Sequence, residues 1–195
     1  EGSLGRPAFG LQTTFGWRAG VHHSGMDRHA YLWERGIHDL DTMRFVFGAA
    51  PKRTWGHSFN PDWSPYRGGG GAHGWVEFED GSTCGYMCTF VAHKGGGSFR
   101  IELEGGSMEP TSEGISLTRP GTKEAELIPL DEVKESTTII LDGFAAYINN
   151  DEEPEFSGRQ NLTTVAMVEA MGVASDEGRI IDFDEYLQRP AAGQS

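Results

Sequence analysis

A segment in the first third of the chain places a carboxylate, an imidazole and a second carboxylate at helical spacing. These are Glu34, His38 and Asp41, at positions i, i+4 and i+7 of one helix face. A carboxylate one turn from an imidazole can orient the ring and hold its proton, and histidine titrates near neutral pH. The spacing therefore predicts an acid/base pair of Glu34 and His38. The alternative is an ordinary hydrogen bond on a helix surface.

Histidines are concentrated just before this segment. His22, His23 and His29 precede the helix, with Asp27 between them. Such a cluster is compatible with a metal site, with a polar substrate pocket or with scattered surface side chains, and it lacks a His-x-x-x-His pair. We favour the pocket and assign no metal ligands. The predicted substrate-binding residues are His22, His23, His29, Asp41, Arg18 and Tyr31.

Composition limits the class of protein. The chain has 195 residues and a net charge of −13, which suits one soluble domain. Its Lys and Arg residues are scattered, so a nucleic-acid surface is not expected. No apolar run approaches the roughly 20 residues of a membrane span. We therefore expect neither a nucleic-acid nor a membrane partner, and a cytoplasmic location.

The two cysteines, Cys84 and Cys88, lie within one predicted strand. Four residues of strand span about 13 Å, whereas a disulfide needs Cα atoms within about 7 Å. We therefore predict two reduced, buried thiols on the same face of a sheet. Reduced cysteines are compatible with the cytoplasm.

Helical patterns appear in three places. The first covers residues 31–47 and ends at Gly48, with Pro51 just beyond as a stop signal. The second covers residues 136–149, and the third covers residues 159–171 and closes at Gly172.

Strand patterns fill most of the region between the first two helices. Asp80-Gly81 predicts a hairpin between residues 74–78 and 82–90. Further strands are predicted at 99–103, 107–109, 115–117 and 179–183. We expect loops or short extended segments at residues 1–30, 55–67 and 95–97. The fold class is therefore α+β, an open and mostly antiparallel sheet with helices packed on one face.

One glycine run matches the dinucleotide-binding fingerprint as a pattern. Gly69-x-Gly71-x-x-Gly74 has the required spacing, but that fingerprint binds pyrophosphate only between a strand and the N-terminus of a helix. Here a proline-containing aromatic loop precedes the run and a predicted strand follows it. We therefore expect no cofactor to be bound by this chain.

Several motifs occur in the order found in a known family. Glu34-x-Gly36-x-His38-x-x-Asp41 resembles the D-x-G-x-H-x-x-D segment of the Gfo/Idh/MocA oxidoreductases. Three later segments resemble the family's "F-x-D-G" turn, its "I-x-G-x-x-G" strand and its closing "S-G-x-x-x-L" pattern. They are Phe78-Glu79-Asp80-Gly81, the strand from Ile101 to Gly105, and the run from Ser157 to Leu162. The set extends over residues 15–187.

The resemblance implies a specific architecture. Family members join an N-terminal Rossmann domain, which binds NAD or NADP, to a C-terminal domain like that of dihydrodipicolinate reductase. This chain resembles only the second, a single substrate-binding and oligomerisation domain over residues 1–195. The resemblance further implies a sugar or polyol substrate and a homo-oligomer formed through the open sheet face.

The resemblance also implies roles for two residues. The family's catalytic Asp and His fall on Glu34 and His38. Glu for Asp moves the carboxylate one methylene further from the backbone. Two functions stay open at this point: the substrate domain of an NAD(P)-dependent sugar or polyol oxidoreductase, and a stand-alone binding or accessory subunit without redox activity.

Overall fold

The computed structural model describes residues 4–21, 28–132 and 134–187, and within them one sheet of nine strands. The strands are β1 Pro7–Trp17, β2 Pro51–Phe59, β3 Gly71–Phe78, β4 Thr83–Thr89, β5 Val91–Leu103, β6 Gly106–Pro110, β7 Gly114–Thr118, β8 Ala125–Pro129 and β9 Ile181–Asp182. Their order is β8-β7-β6-β5-β1-β4-β3-β2-β9. Only β1 and β4 pair in parallel among the described strands, which confirms a mostly antiparallel sheet.

The helices lie largely on one face of this sheet. They are α1 Ile37–Phe47, α2 Ser136–Asn150, α3 Gly158–Glu177 and α4 Phe183–Leu187, and a π-helical turn, Leu32–Gly36, precedes α1. Phe47 of α1 stacks on Phe78 of β3, with ring centroids 4.8 Å apart. Buried Met167 and Met171 place α3 over the same core. The α+β architecture is therefore confirmed.

The predicted hairpin at Asp80-Gly81 joins β3 to β4. Gly81 has φ +85°, a left-handed conformation that glycine adopts without strain. Along β4, Cys84, Tyr86 and Cys88 all face the helices and are buried. Both cysteines are free thiols, and burial raises the pKa of each to about 12. The predicted pair of reduced thiols on one sheet face is confirmed.

Residues 7–17 form one long central strand, where loops or short extended segments were predicted. β1 lies between β4 and β5, although glycines interrupt its sequence. Gly10 is needed there, because a Cβ at this position would lie 2.9 Å from the carbonyl oxygen of Arg100 and 3.2 Å from the Phe47 ring. Close packing in the sheet thus overrides the low strand propensity of glycine.

Parts of the other predicted loops are also strands, whereas residues 60–67 form a loop as predicted. β2 takes in residues 55–59 of the predicted loop at 55–67, and residues 95–97 lie inside β5. Gly97 of β5 pairs with Thr14, and the backbone of β1 leaves no room for a side chain there. β8 was not predicted, and the predicted strand at 179–183 is shorter: it is the two-residue β9, which pairs with β2 before α4 begins.

Gly172 does not end α3. The helix continues to Glu177 and closes at Gly178, which has φ +64°. Gly172 lies where the His29 ring packs on the helix, since a Cβ there would be 2.9 Å from the ring carbon Cδ2. This glycine therefore serves a close approach inside the helix and is not a stop signal.

α2 is present as predicted, but none of its residues is buried. Its apolar side chains face solvent: Ile139, Ile140, Leu141, Phe144, Tyr147 and Ile148. The expectation that the helices pack on the sheet therefore holds for α1 and α3 but not for α2. No helix in residues 4–21, 28–132 and 134–187 combines the length and apolarity needed to cross a membrane.

Candidate active site

The helix that carries Glu34 and His38 does not begin as a regular α-helix. Its Gly48 end is as predicted, with φ +67°, but its first turn is the π-helical turn. Such turns widen the helix and often occur at functional sites. A Cβ at Gly36 would lie 3.2 Å from the Tyr86 hydroxyl, so glycine lets this turn lie close to the sheet. The prediction of one uninterrupted α-helix is wrong here, and the α-helical spacing does not extend across this turn.

Glu34 is held by a cation from the end of β1. The guanidinium of Arg18 forms an ion pair with the Glu34 carboxylate. The Glu34 side chain is 10% exposed, whereas Arg18 is 38% exposed. The guanidinium carbon of Arg18 also lies 4.2 Å from the centroid of the Phe90 ring, an arrangement that favours a cation. The structure therefore brings together two residues that the sequence assigned to the same site.

Tyr66 adds a buried phenol to the group formed by Arg18, Glu34 and Phe90, and it was not predicted from the sequence. It follows β2 in a loop, and its ring stacks on Phe90 with centroids 5.7 Å apart. Burial, and next the charge of Glu34, raise the pKa of Tyr66, whereas Arg18 lowers it. A tyrosine with a raised pKa stays neutral at physiological pH and keeps its proton for donation.

His38 differs from Glu34 in its exposure. It lies in the first turn of α1, where its side chain is exposed and its carbonyl accepts a hydrogen bond of 2.9 Å from the Thr42 hydroxyl. An exposed imidazole is free to exchange protons with solvent or with a bound molecule. The candidate site therefore combines a largely buried carboxylate with an accessible imidazole four residues later.

Beneath this helix lies a buried polar cluster that the sequence analysis missed. Asp39 is 3% exposed, and its Oδ2 accepts hydrogen bonds of 3.1 Å from both Tyr31 and Tyr86. Its Oδ1 lies 3.4 Å from Nε of Arg35. Burial raises the pKa of the Asp39 carboxyl above its ordinary value of 3.8, while Arg35 and the two hydroxyls lower it. The cluster fastens α1 to β4 directly beside His38.

Two of the predicted substrate-binding residues have structural partners in the fold. Tyr31 is fully buried, with its hydroxyl on Asp39. Asp41 faces α3, where its Oδ1 accepts a hydrogen bond of 2.7 Å from the Thr164 hydroxyl and one of 3.0 Å from Arg44. The structure thus places Asp41 in the α1–α3 contact, whereas Glu34 contacts the end of β1.

The predicted histidine cluster is described only in part. His22 and His23 lie outside the described residues. The His29 side chain is 13% exposed, and its Nε2 lies 3.2 Å from Oδ1 of Asp176. The same carboxylate oxygen contacts Nε of Arg28 at 2.8 Å. His29 therefore lies against α3, and among the described residues no group of three or more metal-ligating side chains is found.

A surface groove lies elsewhere on the domain. This groove of about 940 Å³ runs between the C-terminal half of α1 and the segment before α3, and Phe45 and Phe156 are among its lining residues. Asp41 is one of its lining residues, but neither Glu34 nor His38 lines it. The acid/base candidates are therefore outside this groove, on the side of the molecule that carries Arg18.

The comparison with known families decides which group of proteins this is. Residues 1–109 match the model described as the GFO/IDH/MocA C-terminal domain, and this span contains the π-helical turn, α1 and strands β1 to β5. The chain belongs to the Gfo/Idh/MocA family. Its Glu34 and His38 therefore lie within the matched part of a Gfo/Idh/MocA C-terminal domain.

Relatives agree with this assignment. The chain is 25% identical over 202 residues to a D-apiose dehydrogenase from Paraburkholderia graminis, covering 94% of this chain and 53% of that protein. The chain thus spans about half the length of this curated Gfo/Idh/MocA relative.

Solved structures show the same fold. An oxidoreductase from Agrobacterium radiobacter in complex with NAD+, L-tartaric acid and magnesium superposes with a TM-score of 0.78 at 19% identity, over 94% of this chain and 59% of that one. An aldose-aldose oxidoreductase from Caulobacter crescentus, complexed with glycerol, gives 0.77 at 19% identity over 93% and 57%.

The glycine fingerprint does not supply a dinucleotide site within this Gfo/Idh/MocA domain. Gly71 begins β3, so the run leads into a strand and not into a helix N-terminus. Gly69 and Gly70 are instead crowded by the side chains of Ser58 and Asn60. The residues present at this fingerprint therefore do not fit a pyrophosphate.

Proposed function

We propose that this chain is the substrate-binding C-terminal domain of an NAD(P)-dependent sugar or polyol oxidoreductase. The observation that carries the proposal is the Arg18–Glu34 ion pair. Glu34 lies on the same helical segment as the exposed His38, and all three residues lie in the part of the chain that matches the family model. The sugar-converting relatives support a sugar or polyol as the substrate class.

In this proposal His38 holds and moves the proton of the reacting hydroxyl. A neutral imidazole accepts that proton when the alcohol is oxidised and returns it when the carbonyl is reduced. Glu34, fixed by Arg18, supplies an oxygen for substrate hydroxyls. Tyr66 contributes a neutral buried phenol to the same group of side chains, Arg18, Glu34 and Phe90.

The cofactor belongs to the part of the protein outside this chain. When bound, a nicotinamide nucleotide accepts or returns the hydride in this class of reaction. The proposal assigns to residues 1–195 a single domain for substrate binding and oligomerisation. The free thiols Cys84 and Cys88 are compatible with the cytoplasm as its location.

Nucleotide binding tests this division of labour. We expect this 195-residue chain to show no micromolar affinity for NAD+ or NADP+ in calorimetric titration, because its fingerprint leads into a strand. The natural gene product, whose intact mass reports any further domain, should bind one nucleotide and reduce it when an aldose is added. A natural product that binds neither nucleotide would instead favour an accessory subunit without redox activity.

The open face of the sheet supports the proposed homo-oligomer. Residue pairing places Thr83, Arg100 and Glu102 on the face opposite the helices. The same face carries Phe9 and Leu11, which are 58% and 50% exposed. A surface that mixes exposed apolar groups with ion pairs is typical of protein–protein interfaces. We propose that two such faces pack together and bury more than about 1,000 Å² in total.

Reversing one charge on this face should weaken the assembly. Arg100 Nη2 lies 2.6 Å from Oε1 of Glu102, so Arg100→Glu puts two like charges side by side where the second copy would pack. Light scattering should give a mass above the 21.3 kDa monomer for the unaltered chain and a smaller mass for the variant. The matched control is Arg159→Glu, at an ion pair with Glu153 at the start of α3. A monomer at tens of micromolar for the unaltered chain would contradict the proposal.

A further inference from the structure

Two exposed tryptophans lie on the segments that lead to the candidate site, one at the end of β1 and one in the loop after β2. Trp17 is 48% exposed and Trp63 is 61% exposed. Both rings stack on the imidazole of His93, with centroids 5.4 Å and 5.9 Å from it and planes inclined by 27° and 23°. Contiguous aromatic surface left in water commonly marks a binding surface. We call these three rings the aromatic stack.

The aromatic stack and the candidate site share two chain segments, the end of β1 and the loop after β2. Trp17 is followed directly by Arg18, whose guanidinium pairs with Glu34 and lies over the Phe90 ring. The backbone nitrogen of Arg18 also donates to the Phe90 carbonyl at 3.0 Å, so the end of β1 is fixed at this point. Trp63 lies three residues before Tyr66 in the same loop, and the Tyr66 ring stacks on Phe90, so the loop that carries Trp63 also reaches the candidate site.

The loop that carries Trp63 is held in place before anything binds. Asn60 donates to the Tyr66 carbonyl at 2.7 Å and accepts from the Gly70 nitrogen at 3.2 Å. The Ser64 hydroxyl accepts from the Tyr66 nitrogen at 3.0 Å. Because these hydrogen bonds close the loop from both ends, little ordering remains to oppose binding.

We propose that Trp17 and Trp63 are the platform on which the sugar or polyol substrate lies. A sugar has an apolar face of C–H groups, which packs on the negative face of an aromatic ring, and hydroxyls at its edge, which bond to charged side chains. Arg18 and Glu34 supply a donor and an acceptor for those hydroxyls. A nucleotide base would stack equally well, but the net charge of −13 disfavours its phosphates. This inference rests on the proposed function.

Binding of an aldose to this chain, without any nucleotide, tests the platform. The probes are D-apiose and D-glucose, followed by saturation-transfer NMR and a titration for the dissociation constant. We expect the carbon-bound protons of the sugar to receive most saturation. Trp63→Ala should weaken binding about 3- to 10-fold, the effect of losing one stacked ring, whereas Trp63→Phe should stay within about 2-fold of the unaltered chain. The matched control is Phe45→Ala, which removes a 72% exposed ring from α1.

Two results would overturn the platform. The first is equal aldose affinity, or none, in the unaltered chain and in Trp63→Ala. The second is an unchanged aldose signal together with a changed mass in light scattering, which would make the aromatic stack a contact between copies. Neither result bears on nucleotide reduction by the natural protein. Failure of the platform is therefore distinguishable from failure of the proposed function.

Discussion

His38→Asn should lower kcat of the natural protein by about 10²- to 10⁴-fold, the range for loss of a positioned general acid/base. Asparagine fills similar space and keeps a hydrogen-bonding side chain, but it does not take up a proton near neutral pH. The effect should appear in kcat more than in KM, because the proton moves in the transition state. Steady-state rates with an aldose and NAD+ or NADP+ measure it, and near-normal turnover by His38→Asn would show that another group moves the proton.

Glu34→Gln should lower kcat less than His38→Asn does. The amide keeps a hydrogen-bond acceptor for Arg18 but loses the negative charge, so Arg18 and the substrate hydroxyls are held less firmly while His38 still moves the proton. Steady-state rates of both variants with the same aldose and nucleotide measure the difference. Phe45→Ala, an exposed change on the same helix, is the control for general damage to α1.

Asp39→Ala should lower the free energy of unfolding by about 2–5 kcal/mol, because it leaves two buried tyrosine hydroxyls without their acceptor. These are the hydroxyls of Tyr31 and Tyr86, each 3.1 Å from Asp39 Oδ2 in the intact protein. Asp39→Asn keeps an acceptor oxygen and should lose less. Urea unfolding of the chain measures both variants, and equal losses would show that the loss of the carboxyl group itself, and not the loss of the acceptor oxygen, determines the cost.

The Asp39 cluster should also make stability depend on pH in a defined direction. The pKa of Asp39 is raised above 3.8 in the folded protein, so the folded protein binds the proton of this carboxyl more tightly than the unfolded chain does. The resulting stabilisation is complete below pH 3.8 and is lost as the pH rises through the folded pKa. The difference in unfolding free energy between the unaltered chain and Asp39→Asn should therefore shrink as the pH rises. A difference that stays constant with pH would contradict a raised pKa.

The elements that the sequence predicted correctly are those governed by local chemistry. The Asp80-Gly81 turn demands a left-handed glycine, and the α1 helix ends at Gly48 for the same reason. β1 and the middle of β5 were missed because their glycines suggest loops, whereas the strands on either side require them. Gly172 was predicted to end α3, but the helix continues through it. The sequence of α3 alone does not show that the His29 ring packs against this glycine.

The candidate site follows the same division. Glu34 and His38 are recognisable from their spacing, and Arg18 was assigned to the same site. Tyr66 and Asp39 act through contacts with residues 32 and 47 positions away in the chain, and no local pattern reveals these. One signal was present for Tyr86: a tyrosine that alternates with two buried cysteines must place its hydroxyl against some acceptor.

The two buried cysteines of β4 make opening of the core measurable by chemical labelling. Both thiols are buried, and their pKa values near 12 leave almost no thiolate at neutral pH. A thiol reagent therefore modifies Cys84 and Cys88 only when the core of the sheet opens. α1, which carries His38, is held against β4 by the hydrogen bond between Tyr86 and Asp39. The rate of labelling therefore reports how often the packing of the candidate site on the sheet is disrupted.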